Sequence, residues 1–275
     1  MRRYKSKPKI EYKTTLKTIN GYKYPLCLIM DNISVLGYNK KMAKIDFIST
    51  IIGLDEIEEC KPKPAKYYIP KWFKDIPSDG TSSVKYCPSF PDYFSLGYVI
   101  PMWTNSRIVY KSETGFWKCE VGDEKFKYTL HSNQQMLNHV TARFNGVDGQ
   151  VIFKAECPWM IVTPPGWSVL QLPLFYHFNQ EWSVMPGVID TDIHNEINQQ
   201  ILYHGNGKEI DIHRGEPFVL YIPFKRDDIK LDLGVRYQSE VDYKMFYERS
   251  MNFQNKTSPN GFYRKLQRKR DKDGK

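Results

Sequence analysis

Long apolar runs are missing from this chain. Even "PFVLYIPF" at 217–224 falls far short of the roughly 20 apolar residues that a membrane helix needs. The basic N-terminus is not followed by an apolar stretch, so no secretory leader and no membrane partner are expected. Paired cysteines are missing too. The five Cys, at 27, 60, 87, 119 and 157, are odd in number and widely spaced, without a C-x-x-C. That pattern predicts reduced thiols in an intracellular setting. The six His are equally scattered, His131 and His139 stand eight apart, and no H-E-x-x-H or H-x-H occurs, so nothing proposes a zinc site. No repeat period appears.

Aromatic residues, by contrast, are plentiful: 19 Tyr, 15 Phe and 6 Trp in 275 residues. That surplus favours strands over helices. Gly and Pro, 17 each, are spread along the chain, which suits many short strands joined by turns. The net charge of +9 is uneven. Residues 1–17 carry seven Lys/Arg against one Glu, and residues 263–275 carry seven against two Asp, so the body between them is slightly acidic. Basic ends of this kind either contact a polyanion such as nucleic acid, or virion proteins, or are simply solvated.

Four regions follow. Residues 1–20 are Lys-rich and polar, and are read as a disordered basic N-terminus. Residues 21–83 are a mixed segment and Pro-rich connector. In it, "IDFISTIIGL" (45–54) is short enough to be strand or helix. "EECKPKPAKYYIPKWFKDIPSDG" (58–80) holds four prolines and is read as extended, not helical. Its Tyr67, Tyr68, Trp72 and Phe73 are expected to pin it to the domain surface or to serve a partner. Residues 84–226 are strand-dense. "LGYVIPMW", "SRIVY", "TGFWKCEV", "KFKYTL", "GQVIFKAE", "WMIVTPP", "SVLQLPLFYHF", "VMPGVID", "EINQQILYH" and "EIDIHRGEPFVLYIPF" follow one another between polar or Gly-containing turns. "SNQQMLNHVTARF" (132–144) is a short helix or a loop. Residues 227–275 form a C-terminal extension, with a short helix over 239–253 and a basic tail. The fold class is therefore mainly β, a strand-rich domain with a mixed N-terminal segment and basic tails.

One acidic turn stands out, "PGVIDTDIHNEIN" at 186–198. Val188 and Ile189 are expected to enter the core, after which Asp190 and Asp192 emerge at the strand end. Gly187 is expected to permit a bend or a close backbone approach. Pro165-Gly166 reads as a tight turn into a strand, with Pro presetting φ and Gly accepting a positive one. The two carboxylates have two readings. Asp190 is a general base for a positioned water, or both are turn formers bonded to nearby backbone N–H groups.

"VTPPGWSVLQLP", "PGVIDTDIHNEI" and "IDIHRGEPFVLYIPF", with Gly215 twenty-five residues beyond Asp190, together resemble the central half of the dUTP pyrophosphatase and dCTP deaminase superfamily. "SLGYVI" resembles that family's A-G-Y-D-L segment faintly. The resemblance implies a β-clip fold, a homo-oligomer (a trimer), and Asp190 in the place of the water-activating Asp. A second resemblance covers about 70–226. "KWFKDIP", "TPPGWS", "GVIDTD" and "GEP…IPFKR" are similar, in this order, to uncharacterised proteins of tailed phages, which implies a setting in host cytoplasm or virion but no activity.

The departures fall on the residues that touch nucleotide. The sugar-stacking Tyr is replaced by Ile193, and a Gly two positions on by Asn195. Leu174 and Phe175 stand where Arg-Ser hold phosphates, and apolar side chains supply no charge-assisted donors. The acidic position linked to magnesium is Val99. Leu220 or Tyr221 stands near the missing Gln, and Glu196 lies too close to the turn to be the deaminases' catalytic Glu. "SPNGFYRK" resembles the family's closing arm, which would bring Phe262 to a base and Arg264 to phosphates. Gly166, Gly187, Asp192, Phe262 and Arg264 thus complete the candidate ligand set around Asp190. His194 and His213 are candidates to meet across paired strands, and Trp159, Trp167 and Trp182 form a stacking platform or a core cluster. The expected function is a non-catalytic binding or structural protein of phage type without a cofactor. The alternatives are a nucleotide pyrophosphatase using Asp190 and Mg²⁺, or a nucleic-acid accessory protein using its tails.

Overall fold

The structure, a computed structural model, describes residues 16–19, 22–25, 43–77, 83–87, 89–111, 114, 116–130, 151–204, 207–226, 233–252, 265, 268–269 and 272. Two units are distinguished, 1–44 and 45–275. In the first, β1 (Leu16–Ile19) and β2 (Tyr22–Pro25) pair antiparallel, with Leu16 opposite Pro25.

Among the described residues, the second unit holds fourteen strands. They are β3 (Asp46–Ser49), β4 (Lys63–Pro64), β5 (Tyr98–Pro101), β6 (Ser106–Lys111), β7 (Phe116–Val121), β8 (Tyr128–Leu130) and β9 (Val151–Glu156), followed by β10 (Trp159–Val162), β11 (Trp167–Leu172), β12 (Trp182–Val184), β13 (Gly187–Ile189), β14 (Asn198–Tyr203), β15 (Ile210–Ile212) and β16 (Pro217–Lys225). Their pairings are antiparallel: a five-stranded sheet β13-β11-β16-β5-β4, a four-stranded sheet β12-β14-β9-β8, a three-stranded sheet β15-β6-β7, and the pair β10-β3. The mainly-β expectation is met, and each strand-like segment of 96–224 contributes at least one strand. The ambiguous "IDFISTIIGL" resolves as β3 and turns. The 132–144 segment lies outside the described residues.

Burial explains the order. β16 is central, flanked by β11 and β5, and its Phe218–Tyr221 run is buried continuously, as expected of a strand covered on both faces. β15 alternates, with Ile210 and Ile212 buried and Asp211 exposed. The core joins the sheets through Trp103, Phe153, Tyr203, Phe218 and Tyr221, all essentially inaccessible. Trp103 meets Phe218 edge-on at 5.5 Å, an arrangement favoured by ring quadrupoles.

One polar chain crosses this core. Gln199 of β14 donates from Nε2 to the Tyr221 hydroxyl (2.7 Å), which donates to Gln171 Oε1 (2.8 Å). Gln171 Nε2 in turn donates to the Met185 carbonyl at 2.8 Å. The chain links the four-stranded and five-stranded sheets. Burial raises the Tyr221 hydroxyl well above its ordinary pKa, so it remains a neutral donor.

The Pro-rich connector departs from the extended reading. Lys71–Asp75 form a short helix, α1, opened by Pro70, because proline is tolerated where a helix begins and an N–H would lack a partner anyway. Phe73 is buried and packs on Phe90 and Phe94 of α2 (Ser89–Phe94), at 5.9 and 4.8 Å. Trp72 donates from Nε1 to the Tyr176 carbonyl at 2.7 Å. These two rings pin the connector, whereas Tyr67 faces solvent. The expected C-terminal helix is present as α3 (Glu240–Asn252). No helix among the described residues is long and apolar enough to cross a membrane.

Candidate functional site

The acidic turn is built by strand register. β11 pairs β13 with Val169 opposite Ile189, and pairs β16 with Trp167 opposite Lys225. One residue further on, Arg226 lies opposite Gly166, and its N–H donates to the Gly166 carbonyl at 3.0 Å. The ends of three strands therefore converge. Gly166 has φ +83° and Trp167 N–H donates to the Pro164 carbonyl at 3.2 Å, which is the tight turn the Pro-Gly pair predicts. Gly187 behaves differently. Its φ is not positive and its Cβ position faces open space, so no close approach occurs there. Val188 is also corrected. It is 63% exposed because alternate residues of a strand face opposite sides, and only Ile189 packs against the core.

The two carboxylates are not simple turn formers. Arg226 spans Asp192 with Nη1 to Oδ1 at 2.9 Å and Nη2 to Oδ2 at 2.6 Å, a forked geometry that a guanidinium suits. Gly166 N–H also donates to Asp192 Oδ2 at 2.7 Å. Asp190 Oδ1 accepts from Ser168 Oγ at 2.6 Å and lies 3.3 Å from Arg226 Nη1. Arg226 further donates to Ser168 Oγ and the Trp167 carbonyl. Beneath the turn, the buried Thr163 and Thr191 hydroxyls meet at 2.8 Å. Asn195 Nδ2 donates to the Ile161 and Thr191 carbonyls. Asn195 thus braces the turn.

Gly166 and Asp192 are therefore brought together with Asp190. Phe262 and Arg264 lie outside the described residues. Arg226 and Ser168 carry no role in the sequence reading. The signal was present in "IPFKR", whose last residue extends the strand opposite the Pro-Gly turn. Asp192 has both oxygens engaged, and among the described residues only Asp190 Oδ2 of this pair accepts no hydrogen bond. Mg²⁺ keeps several waters and binds one or two protein carboxylates together with substrate phosphates, so Asp190 Oδ2, beside the Arg226 guanidinium, is the oxygen of this pair that would be left for it. Val99 is wholly buried. No group of three His, Cys, Asp or Glu able to hold a metal occurs among the described residues.

Arg226 and the Gly166 N–H hold the Asp192 carboxyl at about 2, below its ordinary 3.8. A depressed carboxylate stabilises the fold fully above the unfolded-state value, and that stabilisation is lost as pH falls through the folded-state value. The loss therefore falls between about pH 4 and pH 2. Arg226→Met is expected to make stability less pH-dependent across that window. Urea midpoints followed by tryptophan fluorescence at stepped pH check this, and a slope equal to wild type would refute the clasp.

The remaining candidates resolve plainly. Trp159 and Trp182 are core residues, Trp182 packing on Phe218 at 5.3 Å, while Trp167 is partly exposed. His194 and His213 are exposed and follow strands of different sheets, since β13 pairs β11 and β15 pairs β6. Cys60, Cys87, Cys119 and Cys157 are free thiols. Burial pushes Cys119 and Cys157 up to about 12, which makes them poor nucleophiles.

A second feature is a cleft of about 620 Å³ between the segment after β11, strand β12 and the start of β16. Leu174, Phe175 and Phe178 lie on it, along with Glu181 and Glu216. No Lys or Arg among the described residues lines it. His177, also on the cleft, has its pKa lowered by burial, so it adds no charge at neutral pH.

No protein-family model matches the chain. No curated protein matches it either. Among solved structures, the chain is similar to the dUTPase from phage phi11 of S. aureus, with 8% identity, 72% of this chain and 96% of that chain covered, and a TM-score of 0.32. The Staphylococcus bacteriophage 80alpha dUTPase with dUPNHPP aligns at 8% identity over 73% of this chain and 92% of that one, with a TM-score of 0.33. The EIAV dUTPase aligns at 11% identity over 53% and 85%, with a TM-score of 0.29. At that level of geometric agreement, no residue role passes from those enzymes to this chain.

Proposed function

We propose that this chain is a non-catalytic binding or structural protein of phage type, on a dUTPase-like β scaffold. The observation that supports it is the Arg226 clasp. A guanidinium engages both oxygens of Asp192 and one of Asp190, so the acidic turn closes on itself instead of facing a substrate. The neighbouring cleft adds to it, because its carboxylates repel a triphosphate and its Leu174 and Phe175 offer no phosphate donors. Assembly into a homo-oligomer belongs to the same proposal.

The test is a panel of deoxynucleoside triphosphates with pyrophosphate release as readout, with and without Mg²⁺. Release equal to buffer alone is expected. The second reading, a pyrophosphatase with Asp190 as general base, is favoured by the half-exposed Asp190 and its open Oδ2. Turnover that Asp190→Asn lowers by about a hundredfold or more would establish that reading and reject the first.

A further inference from the structure

The cleft beside β12 has features that a packed turn does not explain. Phe175 and Phe178 are 66% and 56% exposed, with ring centroids 6.2 Å apart. Side by side they form an exposed apolar patch, the kind of surface that marks a binding site, where scattered single rings would not. Phe178 also holds φ 52°, and non-glycine residues in the left-handed region persist only where surrounding contacts enforce them.

Those contacts are present behind the loop. Trp72 bonds the Tyr176 carbonyl, and His177 Nε2 lies 3.0 Å from the Tyr68 carbonyl. The Tyr176 ring packs on Phe90, Tyr93 and Phe94 at 5.0–5.5 Å. The α1–α2 region thus grips the loop from one side and leaves two aromatic faces toward the cleft as fixed walls. The rim is set as well. Asn179 Oδ1 accepts from the N–H groups of Glu181 (2.9 Å) and Trp182 (3.1 Å), and Glu216 Oε2 accepts from His213 N–H (3.0 Å). Among the described residues, Glu216 keeps Oε1 open and neither glutamate is ion-paired.

Among the described residues the lining therefore combines aromatic faces and two carboxylates without a Lys or Arg. Ring quadrupoles and carboxylates attract the same kind of guest, an organic cation on an apolar stem. The volume is that of a small-ligand site, and its openness along a loop and a strand entry suits side chains of a peptide. We propose that this cleft recognises a basic peptide, seating a lysine or arginine stem against Phe175 and Phe178 with its charge toward Glu181 and Glu216. This site is separate from the acidic turn, and nucleotide turnover at Asp190 would neither support nor oppose it.

Calorimetric titration of the full chain tests it, with acetyl-Lys-Gly-Lys-amide and its Arg counterpart as probes. Saturable binding that weakens with added salt is expected, together with no binding of the norleucine counterpart. Glu181→Gln with Glu216→Gln is expected to weaken it about tenfold or more, and Phe175→Ala about fivefold. Both Phe175 and Glu181 are exposed, so Phe175→Ala and Glu181→Gln alone serve if the double variant fails to fold. Equal affinity for the norleucine peptide, or unchanged affinity in Glu181→Gln, would overturn the proposal. So would n-pentylamine binding as tightly as the peptide, which would assign a small amine. Dissociation of an oligomer by Phe175→Ala, seen in sedimentation, would assign the cleft to a second copy and overturn it too.

Discussion

Gly97→Ala is expected to remove much of the stability of this protein, on the order of 3–5 kcal/mol of the 5–15 kcal/mol typical of a domain. Gly97 has φ +69°, which alone disfavours any residue with a Cβ. The larger effect is steric. An added Cβ would stand 2.1 Å from the Tyr221 carbonyl oxygen and 3.0 Å from Ile222 Cα. Both are backbone atoms of β16, the central strand, and they cannot turn aside as a side chain can. The Gly97 carbonyl also accepts from Ala65 N–H at 3.0 Å, which holds the connector against β5. Gly53→Ala is the control. Its φ is +80° but nothing lies within 4 Å of its Cβ position, so it is expected to cost only about 1 kcal/mol. Urea unfolding followed by tryptophan fluorescence, with soluble yield beside it, compares the two. Equal losses would show that β16 yields to the methyl group and would sink the steric account.

Tyr221→Phe is expected to cost about 2–4 kcal/mol although it deletes a single oxygen. The hydroxyl accepts from Gln199 and donates to Gln171, and all three residues are buried. Its removal strands one donor and one acceptor where water does not compensate, and each stranded group costs about 1–3 kcal/mol. Replacing the partner as well should restore part of the loss, since two apolar neighbours strand less. The cycle of Tyr221→Phe, Gln199→Leu and the double variant is therefore expected to show coupling above about 1 kcal/mol. Additive losses would mean that the hydroxyl does not join the sheets energetically.

The strand series was legible because its signal is local. Alternation, β-branched and aromatic residues, and punctuating Gly and Pro all act within a few positions. The Pro-Gly turn at 165–166 was legible for the same reason, since a positive φ at Gly166 is a property of the residue itself. Three things were less visible. The exposure of Val188 is not legible locally, because the face of a three-residue strand depends on its neighbours. Helix α1 formed after Pro70 because Phe73 found a buried place against α2, and a tertiary contact of that kind overrides weak propensity. The role of Arg226 is invisible in a short window because its partners precede it by 34 and 36 residues.

By itself the sequence determined the class of fold, the succession of strands, the tight turn at Gly166 and the presence of two carboxylates at a strand end. Those follow from backbone conformation and side-chain period, which a short window contains. Only the tertiary structure decided what the carboxylates meet. The β11–β16 register sets Arg226 across from Gly166, and it is this long-range alignment that converts two acidic residues into a closed ion cluster, with the guanidinium committed there and not to the aromatic cleft.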